Sequence, residues 1–149
     1  MREFKFRAWD TKHEKMFYSD YHNENDNRYR FNFDENGRLV FEVYEFSVID
    51  GLVYERWVTL DNTMQYTGLK DVNGKEIYEG DIVVIVDSIG THVCEVKFSN
   101  GCFVSVEIGD SCEVCLREDI DNFPHTVIGN IYENPELFKG GIAYGKMEN

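Results

Sequence analysis

Between Gln65 and Val83 the chain strings together two tight turns and a strand entry, and no other stretch limits the fold so closely. Asp71-Val72-Asn73-Gly74 reads as a turn between Tyr66-Thr67 and Ile77-Tyr78, because Asn and Gly tolerate the positive φ such turns need. Glu79-Gly80-Asp81 reads as a second turn, with Gly freeing the backbone and Asp placed to tie local amides. Ile82-Val83-Val84-Ile85-Val86 follows. Branching at Cβ restricts χ1, so this run resists a helix and suits a strand buried on both faces. Small β-barrels often begin a strand in this way.

The rest of the chain keeps a period of two. Phe4, Phe6 and Ala8 alternate with Lys5, Arg7 and Trp9, and Met16-Phe17-Tyr18 with Tyr21 suggests a second strand. The polar run from His22 to Arg28 reads as an exposed loop. Tyr29, Phe31 and Phe33 alternate, Asp34-Glu35-Asn36-Gly37 turns, and Leu39 leads a β-rich stretch to Ile49. Asp50-Gly51 turns it into a return strand from Leu52 to Leu60, so two hairpins fall between residues 29 and 60. Ser99-Asn100-Gly101 joins His92–Phe98 to Cys102–Ile108, and Asn-Gly between alternating apolar runs is the strongest local hairpin signal in the chain. Residues 109–122 read as acidic and irregular. Thr126 to Tyr132 is a last strand, which Glu133-Asn134-Pro135-Glu136 stops because proline has no N–H for a ladder. We expect one all-β domain over residues 1–138, a small partly open barrel of bent antiparallel sheet with an excursion between residues 10 and 63. The tail 139–149 is expected to be loosely held.

Charge and composition narrow the function classes. With 149 residues, the chain can bury a core without disulfide or metal staples. Fifteen Lys and Arg stand against 28 Asp and Glu, a formal charge of −13. Holding a phosphate backbone requires clustered cations, so direct nucleic-acid binding is disfavoured, as is docking on an anionic membrane. The N-terminus lacks the apolar core of an export signal, and no apolar run approaches the ~20 residues of a membrane helix. The four cysteines are therefore expected as thiols in a cytoplasmic setting.

Three blocks together resemble one family. They are Lys5-Phe6-Arg7-Ala8-Trp9-Asp10 with Met16, the stretch from Met64 to Val83, and Val127-Ile128-Gly129-Asn130-Ile131-Tyr132-Glu133-Asn134-Pro135-Glu136-Leu137. They cover about a third of the chain, in order, at its start, middle and end. On these strings the sequence resembles the YopX family, carried by tailed bacteriophages and prophages. The resemblance implies an all-β domain of phage origin working inside a bacterial host, and it implies no activity, cofactor or catalytic residue.

Candidate chemistry read from the residues stays weak. Cys112-Glu113-Val114-Cys115 is a C-x-x-C in acidic, β-like surroundings, which raise a thiol pKa where redox use needs it lowered. A zinc site would need a second pair; Cys94 and Cys102 flank the Asn-Gly hairpin and are placed to face one another across it. Asp110, Glu113, Glu118, Asp119 and Asp121 are candidate Ca²⁺ or Mg²⁺ ligands, but the stretch lacks the glycine of a calcium loop, and a solvated acidic loop fits as well. His13, His22, His92 and His125 are scattered and read as surface or turn histidines. Neither a Gly-x-Ser-x-Gly elbow nor a phosphate-cradling glycine loop is present.

The residues left over are polar positions beside aromatics in the family-like strings. Arg7, Trp9, Gln65, Tyr66, Thr67 and Asp81 form the candidate interaction surface, with packing of the aromatics as the plainer alternative. The reading favoured here is a non-catalytic phage accessory protein acting by protein–protein contact with a phage or host protein, also as a homo-oligomer, without cofactor or membrane. Its rivals are an acidic mimic of nucleic acid that inhibits a host DNA-binding enzyme, a nucleic-acid-binding barrel if Arg2, Lys5, Arg7, Arg28, Arg30 and Lys97 cluster, and a metal-dependent enzyme.

Overall fold

Alternating β-branched and aromatic side chains put most of the described residues in strands and few in helices, an all-β fold. The structure, a computed structural model, describes residues 3–20 and 28–139. Tyr21, the expected loop from His22 onward and the tail beyond Lys139 lie outside the described residues. Two compact units hold the chain: Lys5–Gln65, and a second made of residues 66–139 with residues 3–4.

In Lys5–Gln65, the excursion expected between residues 10 and 63 forms most of the unit. Its strands are β1 (Phe6–Asp10), β2 (Lys15–Tyr18), β3 (Tyr29–Phe33), β4 (Leu39–Ile49), β5 (Leu52–Leu60) and the first residues of β6 (Thr63–Lys70). β1 pairs antiparallel with β2, Ala8 opposite Phe17, and with β6, Arg7 opposite Met64, in a sheet that curls into a half-barrel. A second sheet has the order β3-β4-β5. The Asp34–Gly37 turn forms as expected, with Asp34 Oδ1 accepting from the Asn36 and Arg38 amides. Ala8, Phe17, Phe41 and Val43 make the core, and aromatic rings surround it. Phe17 and Tyr29 lie 4.1 Å apart between centroids, and Phe31 and Phe41 4.8 Å apart. Fully burying a side chain such as Phe41 stabilises by roughly 1.5–3 kcal/mol, so a few rings suffice for so small a core.

The second unit starts with the last residues of β6 and continues through β7 (Glu76–Tyr78), β8 (Asp81–Val86), β9 (Thr91–Ser99), β10 (Cys102–Glu107) and β11 (Glu113–Cys115). After these come α1 (Leu116–Asn122), β12 (His125–Asn130) and α2 (Pro135–Lys139). Five strands form one antiparallel sheet in the order β11-β10-β9-β8-β12. Ile82 and Val83 are successive and both fully buried, as a strand covered on two faces requires. Ile77, Val83, Ile85, Cys94, Val96, Leu116 and Val127 form the core. Asn100 and Gly101 both take positive φ, 49° and 84°, and close the β9–β10 hairpin as anticipated.

Three expectations are corrected here. Residues 109–122 are not irregular: they hold β11 and α1, because Leu116, Ile120 and Phe123 recur at helical spacing and turn one face onto the core. Seven residues with only two apolar positions fall below the length at which periodicity is readable. Pro135 does not merely stop a strand; it occupies the first position of α2, where a missing N–H costs nothing. Cys94 and Cys102 do not face one another, since Cys94 is opposite Glu107 and Cys102 opposite Ser99.

Candidate functional site

The block from Gln65 to Val83 is held by side chains that serve as backbone acceptors. Thr67 Oγ1 donates to the Ile77 carbonyl at 2.8 Å and accepts from the Leu69 amide at 3.2 Å. Asp71 Oδ1 accepts from the Asn73 and Lys75 amides at 2.8 and 2.9 Å, while its Oδ2 accepts from the Val127 amide at 3.0 Å. One carboxylate therefore closes the 71–75 turn and fastens it to β12. Burial pushes the Asp71 carboxyl up, but the Val127, Lys75 and Asn73 amides outweigh it and hold the group below its ordinary value. Asp81 Oδ2 accepts from the Tyr78 amide at 2.8 Å, the local tie expected of it.

The six residues of the candidate interaction surface are thus divided. Tyr66, Thr67 and Asp81 converge on β7: Tyr66 is opposite Tyr78 in register with ring centroids 5.4 Å apart, and the other two bond its backbone. Arg7 and Trp9 lie on β1 in the other unit, and Gln65 is opposite Phe6. Five of the six are buried, Arg7 at 3% exposure and Asp81 at 1%; Gln65 alone among them is half-buried.

The titratable groups are likewise bound into the frame. His125 is not a surface histidine but wholly buried, because β12 lies in the five-stranded sheet with α1 alongside. Its Nδ1 donates to the Phe123 carbonyl at 2.8 Å and its Nε2 lies 3.2 Å from Asp119 Oδ2. Ser105 Oγ donates to the same carboxylate oxygen at 3.4 Å. Asp119 thus stands between Ser105 and His125, whereas nucleophilic activation needs the imidazole between the hydroxyl and the carboxylate. Cys94 is buried beside this group, and burial first, with the Glu107 and Asp119 carboxylates adding, pushes its thiol up to about 12. Such a thiol is not a nucleophile near neutrality. Cys112 is exposed and Cys115 half-buried at the start of α1.

His92 sits between Glu107 Oε2 at 3.2 Å and Asp87 Oδ1 at 3.3 Å; the bond to Glu107 is the main reason its pKa is raised above 6.5. His13 Nδ1 meets the buried carboxylate of Asp10 at 2.6 Å, and Asp10 also accepts from the Lys12 and His13 amides. Of the cations named above, Arg30 bonds Glu42 at 2.6 Å and lies over the Trp57 ring, and Lys97 pairs with Glu95 at 3.0 Å. No group of three or more His, Cys, Asp or Glu side chains suited to a metal occurs among the described residues.

What sequence reasoning missed is the far end of the β4–β5 hairpin. Among the described residues, β3 pairs with β4 from Leu39 to Val43, and from Phe46 onward β4 is paired with β5. Val48 is opposite Val53 and Phe46 opposite Glu55 on one face; Ile49 is opposite Leu52 and Ser47 opposite Tyr54 on the other. Phe46, Val48, Ile49, Leu52, Val53 and Tyr54 are all exposed, Phe46 to 67% and Val53 to 63%. The signal was legible: apolar residues fall on both parities of residues 46–54, with Asp50 the lone charge. Such a pattern means a strand covered on two faces or one awaiting cover.

The chain has clear relatives. The family described as YopX protein matches residues 5–139, which takes in both units. The chain belongs to the YopX family. A search of known proteins finds the SPbeta prophage-derived uncharacterized protein YopX of Bacillus subtilis (strain 168), 42% identical over 73 residues. That match takes in 46% of this chain and spans about half of the relative's length. Two solved structures are similar over nearly the whole chain. Protein EF1440 from Enterococcus faecalis is 29% identical with a TM-score of 0.55, covering 93% of this chain and 100% of its own. Protein yopX from Bacillus subtilis is 26% identical with a TM-score of 0.56, covering 91% and 96%. The YopX-like all-β fold expected from the three sequence blocks is therefore shown. No described helix is long and apolar enough to cross a membrane.

Proposed function

We propose that this YopX-family chain is a prophage-encoded accessory protein that works in the bacterial cytoplasm by protein–protein contact and performs no catalysis of its own. The exposed apolar end of the β4–β5 ribbon carries this reading. Monomeric proteins rarely leave a contiguous apolar patch of more than roughly 300–600 Å² to water unless something docks there. The ionisable groups elsewhere support it, since Asp71, Asp81, Asp10 and Asp119 bond neighbouring backbone or side chains of the chain itself. The prophage origin of the Bacillus subtilis relative supports a partner among phage or host proteins.

The test is quantitative affinity capture from a lysogen, with the unaltered chain and a Val48→Asp chain as parallel baits. A protein, including a further copy of the chain, retained by the first bait and lost from the second is the expected result. If the two baits retain the same proteins in the same amounts, contact through this ribbon is not how the chain works.

A further inference from the structure

We infer that the occupant of the β4–β5 tip is a second copy of this chain, an inference that rests on the contact reading above. Three observations point to it. First, the apolar surface lies on both faces of a two-stranded ribbon, with Phe46, Val48 and Val53 on one and Ile49, Leu52 and Tyr54 on the other. Among the described residues, β5 is an edge strand along its whole length and β4 beyond Tyr44 pairs with β5 alone. A single flat partner surface covers one face; a second ribbon of the same kind can cover a face and pair an edge. Isolated two-stranded hairpins are marginal in water, so both copies gain.

Second, the area suits a weak, reversible pair. Six side chains at half to two-thirds exposure present on the order of 500 Å², about half of it on each face. Two copies that each cover one face of the other's tip bury on the order of 500 Å² in all, within the range of transient contacts, and pairing along β5 adds to it. Third, the charge is in the right place. Two chains at −13 each repel, so contact between them needs a stretch almost free of carboxylates. Residues 46–54 carry Asp50 alone, at the turn. At the base of the tip, Glu45 is neutralised by Lys12 at 2.7 Å and Arg56 at 3.4 Å.

Sedimentation velocity of the full chain, with hydrogen exchange of the tip amides followed against protein concentration, tests this. The expected result is a dimer or larger species at micromolar concentration, with exchange at residues 46–54 slowing as concentration rises. Val48→Asp should weaken association at least about tenfold. The paired change Leu52→Thr with Val53→Thr, which keeps β propensity, should act in the same direction while circular dichroism stays unchanged. A chain that stays monomeric to about 100 μM overturns the inference, as does association that both variants leave intact. If the chain is monomeric yet Val48→Asp still abolishes capture of another protein from the lysogen, or binding to vesicles of zwitterionic lipid, the second copy is excluded and the tip has a different occupant. Loss of both behaviours removes the contact reading as well.

Discussion

Asp71 ties together backbone that lies far apart in the chain. Its three amide donors belong to a turn and to a strand 56 residues away, so its loss acts on both. Asp71→Asn puts an amide N–H where an acceptor is needed, against a buried backbone donor. We expect a loss of about 2–3 kcal/mol, read as a lower urea midpoint with an unchanged slope. The acid limb should change too. The folded-state pKa of Asp71 lies below the ordinary 3.8, so its contribution is full above that value and is lost as pH falls through and below it. The variant should therefore show a flatter decline in stability over that range. Sequence reading placed Asp71 and Asp81 correctly at turns, because turn chemistry is local. It could not see the Val127 amide, which reaches Asp71 only through the fold.

At the scale of elements, β12 and α2 are joined by a short segment that explains the string Gly129-Asn130 through Glu133-Asn134-Pro135. Asn130 Oδ1 accepts from the Tyr132 and Glu133 amides at 3.1 and 2.9 Å, and Asn134 Oδ1 accepts from the Asn130 amide at 3.3 Å. A Cβ on Gly129 would meet the Asn134 carboxamide closer than real Cβ atoms ever come, and Leu137 at its contact limit. Gly129→Ala should cost roughly 1–3 kcal/mol through this overlap, and thermal denaturation with Gly90→Ala as a control, where nothing lies within 4 Å, separates overlap from backbone entropy. The strands on either side were legible from periodicity, including the turns at Asp34–Gly37, Asp50-Gly51 and Asn100-Gly101. α1 was not, because its apolar residues only make sense once β9, β10 and β12 supply the surface they cover.

For the whole molecule, the surplus of carboxylates opposes association while the ribbon tip favours it. Salt should therefore strengthen self-association. Raising ionic strength from about 0.01 M to about 0.15 M shortens the screening length from ~30 Å to ~8 Å and weakens repulsion between chains of like charge, while apolar contact is little affected. Sedimentation equilibrium at the two salt levels should give the tighter constant at the higher one; the opposite order would mean that opposite charges, not apolar side chains, drive the contact.

By itself the sequence determined the class of secondary structure, nearly every turn and the family, because each rests on residues adjacent in the chain. Periodicity of two, Asn-Gly and Asp-Gly turns, and the strings around Gln65–Val83 and Gly129–Leu137 act locally and can be read locally. Only the tertiary structure decided which polar groups are interior. It turned Arg7, Trp9, Tyr66, Thr67 and Asp81 from candidate surface into buried frame and withdrew His125 from solvent. It also left Phe46 to Tyr54 exposed, although their composition suits a core equally well. Burial depends on which strands lie across a residue, and among the described residues β3, which begins with Tyr29 opposite Val43, does not reach the ribbon beyond Tyr44.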